Sequence, residues 1–183
     1  MQRLIPFVGP AIVMIAAAIL THVIVLFSIP HVIMGAVFAR TETAGAVNAM
    51  AHGPRADENF RAIIRPSPDL LYSICVFDLS EKPLHIQAPV PKDTYWSLSV
   101  FADNSDNFFA VNDRQVPLDI AELIVSAPGQ RAKTDLPQVT SPSVKGLALV
   151  RVLVSDETKL EALEALRRQS TCAPFEAPAP APG

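Results

Sequence analysis

The chain has 183 residues, half of them hydrophobic, and 15 Lys and Arg against 18 Asp and Glu give a formal net charge of −3. No Asp, Glu, Lys or Arg occurs from Leu4 to Ala39, so the part beyond Ala39 carries 14 basic and 18 acidic side chains, a net −4. That balance excludes a nucleic-acid partner, which would need a basic excess or a clustered basic stripe, and the uncharged run excludes a chain that is soluble throughout.

Residues 1–10 read as a short stub on the cytoplasmic side. Residues 11–29, between Pro10 and Pro30, form an uncharged stretch of nineteen. At about 1.5 Å rise per residue they match the roughly 30 Å hydrocarbon core of a bilayer, which predicts one transmembrane helix. A cleaved signal peptide ending at Val37-Phe38-Ala39 is the competing reading, but signal cores of about 7–15 residues are shorter than this run. Ala16, Ala17 and Ala18 make the helix slim, and Thr21 and His22 follow directly. Ala17, Thr21 and His22 are therefore candidate contacts to a neighbouring membrane helix, with a plain tether as the alternative. Pro30 is expected to end or kink the helix. Residues 30–58 then read as a membrane-proximal helix and linker, helical over 31–51 and broken at His52-Gly53-Pro54-Arg55.

Residues 59–172 change to short β-type segments separated by turn residues. Strands are expected at 62–64, 70–79, 84–87, 95–102, 108–111, 123–126 and 147–154. The second is apolar on both faces apart from Ser73 and Asp78, as a strand covered on both sides would be. The segment 95–102 alternates, with Trp96, Leu98, Val100 and Ala102 on one face and Tyr95, Ser97, Ser99 and Phe101 on the other. Such spacing predicts a mainly β fold, a jelly-roll-like β-sandwich. One helix closes it, capped by Ser155 or Asp156, with Glu157 in its first turn and Arg167 and Arg168 in its last. Residues 173–183 alternate Ala and Pro and are expected to form an extended, disordered tail.

The densest polar and aromatic cluster lies between Tyr95 and Gln115. Asp103, Ser105 and Asn107 have the spacing of calcium-loop ligands, but Phe108 stands where the glycine belongs and Arg114 where the closing glutamate belongs. An Asx-rich hairpin turn that satisfies its own backbone is the preferred reading. His22, His31, His52 and His85 stand apart from one another and from Cys, so no metal site is expected. No nucleophile elbow, phosphate loop or cofactor motif is present, which leaves no cofactor and no catalytic residue to name. Tyr72, Tyr95, Asn104, Asp106 and Asn107 are the candidate lining of a ligand pocket, against the alternative of tyrosines that merely pack. Cys75 and Cys172 can join in an oxidising compartment, stapling the C-terminal helix onto the sheet, or remain as one buried and one terminal thiol.

The run Arg65-Pro66-Ser67-Pro68-Asp69-Leu70-Leu71-Tyr72-Ser73, then Phe77-Asp78-Leu79-Ser80 and Pro83-Leu84, carries a resemblance. It continues in Asp93-Thr94-Tyr95-Trp96-Ser97-Leu98 and Asp106-Asn107-Phe108-Phe109. Residues 60–155 resemble the bacterial family catalogued as domain of unknown function 1254, whose longer members append a second domain catalogued as 1214. The resemblance implies a jelly-roll-like sandwich in a cell-envelope setting and transfers no catalytic residue. It also implies that a short, membrane-anchored member takes a separate chain bearing the companion domain as its partner. The expected function is an accessory or assembly subunit of a membrane complex, single-pass in the bacterial inner membrane with its C-terminal domain in the periplasm. The alternative is an enzyme or ligand-binding domain built on the Tyr, Asn and Asp cluster.

Overall fold

A single helix, α1 (Ile5–Thr43), takes up the whole apolar N-terminal region in the computed structural model, which describes residues 5–57, 66–115 and 119–176. Pro10 and Pro30 lie inside α1, so the expected break at Pro30 does not occur. A proline removes one backbone hydrogen bond, here the one to the Leu26 carbonyl, and a long helix whose far half packs on the domain tolerates that single loss. What ends α1 is Gly45, at a φ of 65° that glycine adopts without the steric cost most side chains meet there. Gly45 N–H donates to Glu42 O and Ala46 N–H to Thr41 O, the paired bonds of a Schellman cap.

Among the described residues nine strands follow, in two sheets. The first sheet has five antiparallel strands in the order β1 (Ala49–His52), β2 (Leu70–Asp78), β8 (Lys145–Leu153), β4 (Trp96–Ala102) and β5 (Asn107–Asn112). The second has four, in the order β7 (Gln138–Thr140), β6 (Ile120–Ser126), β3 (Leu84–Pro89) and β9 (Thr171–Pro174), with β7 parallel to β6. The fold is thus mainly β, as expected.

Two boundaries differ from expectation. β1 replaces the end of the expected second helix, because Asn48, at φ 57°, turns the chain and clasps β2. Its side chain donates to Asp78 O at 3.0 Å and accepts from Asp78 N–H at 2.9 Å. β9 carries the second sheet two residues into the expected tail, and Phe175 N–H donates to Pro83 O beyond it. The strand expected at 62–64 lies outside the described residues.

The facing sides of the two sheets share one core, with Leu71, Cys75, Phe77, Ile86, Trp96, Leu98, Leu123, Val125, Val150 and Val152 all at or below 2 % exposure. Cys75 on β2 is bonded to Cys172 on β9, Cα to Cα 6.3 Å, so the staple joins the two sheets across this core. Gly146 sits where β8 passes between Phe77 and Ala102. A Cβ there would lie within 2.5 Å of the Phe101 carbonyl oxygen and closer still to the Phe77 ring. The outer face of the five-stranded sheet is covered at one end by α1, whose Met34, Val37 and Phe38 pack on Ile74, Val76 and Leu147.

The closing helix begins as a 3-10 turn (Glu157–Lys159), capped by Asp156, whose carboxylate accepts the Thr158 N–H at 2.9 Å. It continues as α2 (Leu160–Arg167).

Candidate functional site

Strand alternation places Tyr72, Arg151, Ser97 and Asn112 in one row across β2, β8, β4 and β5, on the outer face of the five-stranded sheet. Arg151 is the centre of this row. Its Nε donates to Ser97 Oγ at 3.0 Å and its Nη2 to Ser99 Oγ at 3.2 Å. The two serines are 3 % and 2 % exposed although they belong to the outer face, because the guanidinium lies over them. Arg151 itself stays partly exposed and forms no ion pair among the described residues. Tyr95 precedes the buried Trp96 and so faces outward, diagonal to Arg151 at roughly 7–8 Å between side-chain bases. The Tyr72 hydroxyl accepts the Ser67 N–H at 3.0 Å and keeps its own proton to donate.

A second arginine lies on the opposite side of β2. Arg167 is 1 % exposed. Its Nε and Nη2 grip the Glu164 carboxylate at 3.0 and 2.8 Å, its Nη1 donates to Tyr72 O at 2.8 Å, and its Nη2 donates to Gly53 O at 2.7 Å. Ser73, also 1 % exposed, completes the cluster, with His52 Nδ1 2.9 Å from its hydroxyl oxygen. Burial first, then the nearby Arg167 and Arg168, holds His52 below its ordinary pKa against an opposing pull from Glu164. This cluster ties α2, β2 and the segment after β1 together. The sequence reading placed Arg167 at the helix end as a complement to the helix dipole, and missed that it is buried.

The five residues expected to line one pocket separate into two groups. Tyr72 stands opposite Arg151 in the strand register and Tyr95 diagonal to it. Asn104, Asp106 and Asn107 sit at the β4–β5 hairpin, beyond the other end of β4, about 25 Å from Tyr95 at roughly 3.3 Å per strand residue. There they form the self-satisfying Asx turn that the sequence suggested. Asn104 Nδ2 donates to Asp106 Oδ2 at 2.7 Å, Asp106 N–H donates to Asn104 Oδ1 at 3.1 Å, and Ser105 takes φ 70°. No group of three His, Cys, Asp or Glu is close enough to hold a metal among the described residues.

Two open depressions flank other parts of the domain. One, of about 570 Å³, lies where His31, Gly35 and Phe38 of α1 meet Asp103, Ser143 and Lys145. The other, of about 650 Å³, lies between Asn48, Asp78, Lys82 and Glu176. Neither contains any of the five expected residues. Ala17, Thr21 and His22 are exposed on α1.

No curated protein matches this chain. Among solved structures, the VPA0106 protein from Vibrio parahaemolyticus superposes with a TM-score of 0.64 at 12 % identity, over 84 % of this chain and 38 % of that one. An uncharacterised protein from Burkholderia cenocepacia gives a TM-score of 0.47 at 19 % identity, over 75 % of this chain and 38 % of its own. The chain therefore spans well under half the length of the structures it is similar to, and the first of them shares its fold. Residues 47–174 match the family described as Protein of unknown function (DUF1254), from the start of the turn before β1 to the end of β9, and the chain belongs to that family.

Proposed function

We propose that this chain is a single-pass accessory subunit of a bacterial inner-membrane complex, with its jelly-roll-like β domain on the periplasmic side. The observation that carries the reading is the continuity of α1. The helix is long and apolar enough to cross a membrane from Val8 onward, and it runs without a linker into the contact made by Met34 and Phe38 on the sheet. At about 1.5 Å per residue its 39 residues reach roughly 58 Å, twice a hydrocarbon core, so one half spans while the other half belongs to the domain. Cleavage after Ala39 would strip Met34, Val37 and Phe38 from the sheet, which argues for retention as an anchor. The bond between Cys75 and Cys172 fits an oxidising compartment.

The partner we propose is a separate chain carrying what the longer structures hold in the remainder of their length. Ala17, Thr21 and His22, exposed on α1, are the proposed helix contacts to that complex. Gentle detergent extraction of the native protein tests the reading. The β domain should be degraded by protease added outside the sealed inner membrane, and the extracted protein should run well above its own 19.7 kDa plus micelle. Replacing Ala17 with Ile or His22 with Leu should reduce that size without preventing insertion. A monomer in several mild detergents, or a domain reached only after lysis, would overturn the proposal.

A further inference from the structure

We infer that Arg151 is the centre of an oxyanion-binding site on the outer face of the five-stranded sheet, and that the site takes a small organic acid through its carboxylate. The inference goes beyond the anchoring role above and does not depend on it. Three observations converge on it.

The first is charge. A guanidinium never loses its proton in proteins, so a partly buried one needs an anion or solvent to balance it. Elsewhere on this face the charges balance locally: Lys145 pairs with Glu42 at 2.5 Å and with Asp78 at 3.8 Å. Arg151 has no such partner among the described residues. The second observation is preorganisation. Of the five N–H donors only two are engaged, both by neutral serine hydroxyls, one on Nε and one on Nη2. Ser97 and Ser99 stand two residues apart on β4, so they fix the plane of the guanidinium along the strand. Both Nη1 hydrogens and one on Nη2 are left over, and one from each nitrogen forms the pair of parallel donors that matches a carboxylate. A site whose donors are already held in place spends little of its binding energy on ordering them.

The third is the surrounding surface. Tyr72 lies directly across from Arg151, Tyr95 diagonally, and Leu149 and Leu153 stand two residues to either side of it on β8. All four are partly buried, giving a cation flanked by apolar and aromatic walls. The Tyr72 hydroxyl has a proton to donate. Such a composition favours an acid with an apolar or aromatic body over a bare inorganic anion, which would gain nothing from the walls.

The test uses the full chain in a mild neutral detergent at fixed ionic strength, titrated calorimetrically with benzoate, acetate and inorganic phosphate. Benzoate should bind with a Kd of about 1 mM or tighter, as one preorganised charged pair with apolar flanks allows, and at least fivefold more tightly than acetate or phosphate. Arg151→Gln should weaken benzoate at least tenfold, whereas Arg131→Gln, which removes an exposed cation elsewhere, should leave it within twofold. Ser99→Ala keeps the guanidinium but frees one edge of it, and should weaken benzoate two- to fivefold. It decides the matter if Arg151→Gln does not fold. Failure of the folded parent protein to bind benzoate, or equal binding by the Arg151 and Ser99 variants and the parent, would overturn the site. Phosphate binding as tight as benzoate would overturn the organic-acid assignment.

Discussion

Arg167 and Arg151 sit on opposite sides of one five-stranded sheet and have opposite surroundings. Arg167 is enclosed, gripped by Glu164 through two nitrogens and bonded to two backbone carbonyls from separate segments. Arg151 rests on two hydroxyls, keeps three donors, and meets no carboxylate among the described residues. The same side chain thus serves as a bolt in one place and as an open receptor in the other. What distinguishes them is neutralisation. A buried charge that is paired and fully hydrogen-bonded is an element of the fold, and removing one partner exposes the full cost of desolvating the rest. A charge left unneutralised at a surface contributes little to stability and is free to interact with something else.

The sharpest way to break this comparison is to replace Arg167. Arg167→Met takes the donor from Gly53 O, leaves Tyr72 O with only the Gly53 N–H at 3.3 Å, and strips Glu164 of its two-nitrogen grip. It should cost about 3–5 kcal/mol, or a fall of roughly 10 °C in Tm for a domain of this size. Thermal melts followed by circular dichroism would check it, and a fall of under 2 °C would mean that the cluster is not a bolt. The disulfide serves the same side of the molecule, holding β9 to β2 a short distance from the Arg167 cluster. Removing it with Cys75→Ala and Cys172→Ala together should cost about 2–5 kcal/mol, since it closes a loop of 97 residues. Chemical denaturation of the oxidised and double-variant proteins measures that difference directly.

A smaller effect should appear with pH. His52 is held below its ordinary pKa in the folded protein, so the unfolded chain binds the extra proton first as pH falls. The stability contributed by neutral His52 is therefore complete above the unfolded value of about 6.5 and is lost as pH drops below it, down to the folded value. Tm should fall between pH 7.5 and 5.5 by more in the parent protein than in His52→Gln, which cannot titrate. Equal slopes would detach His52 from the cluster. The smallest expected effect is that of Ser99→Ala on stability, a few tenths of a kcal/mol up to about 1, because only one long hydrogen bond is lost, from a guanidinium that stays partly exposed to solvent.

Much of the β domain was legible in the sequence because period-two alternation reports directly on which face is buried. Trp96, Leu98, Val100 and Ala102 all face the core as that pattern required. The Asx turn after Ala102 and the pairing of Cys75 with Cys172 were legible too. β1 was not, because Ala49–His52 is four residues long and directly follows a long helix, so its few apolar positions fit a helical stripe equally well. β7 has three residues, too few for any alternation to register. At Pro30 the local rule predicted an end or a kink; the helix does not end there, since thirteen further helical residues, with Met34 and Phe38 buried on the sheet, outweigh one lost hydrogen bond.

The candidate site was legible only in half. Tyr72 and Tyr95 were named as candidate lining residues, while Arg151 was not singled out; it is the one charged residue in the expected strand 147–154, and that interruption was the available signal. Grouping the tyrosines with Asn104, Asp106 and Asn107 failed for a reason that strand geometry already contains. Residues at opposite ends of a seven-residue strand cannot share a small pocket. Nothing local separates Arg151 from Arg167, because the carboxylate that neutralises one and not the other is placed by tertiary structure.

The contrast between the two arginines can be measured in a single paired experiment, urea denaturation of Arg151→Gln and Arg167→Gln beside the parent chain. With Arg151 a receptor, its variant should lose at most about 1 kcal/mol, while the Arg167 variant loses about 3–5 kcal/mol. A loss of 3 kcal/mol or more from Arg151→Gln would make that residue a second bolt and contradict the account.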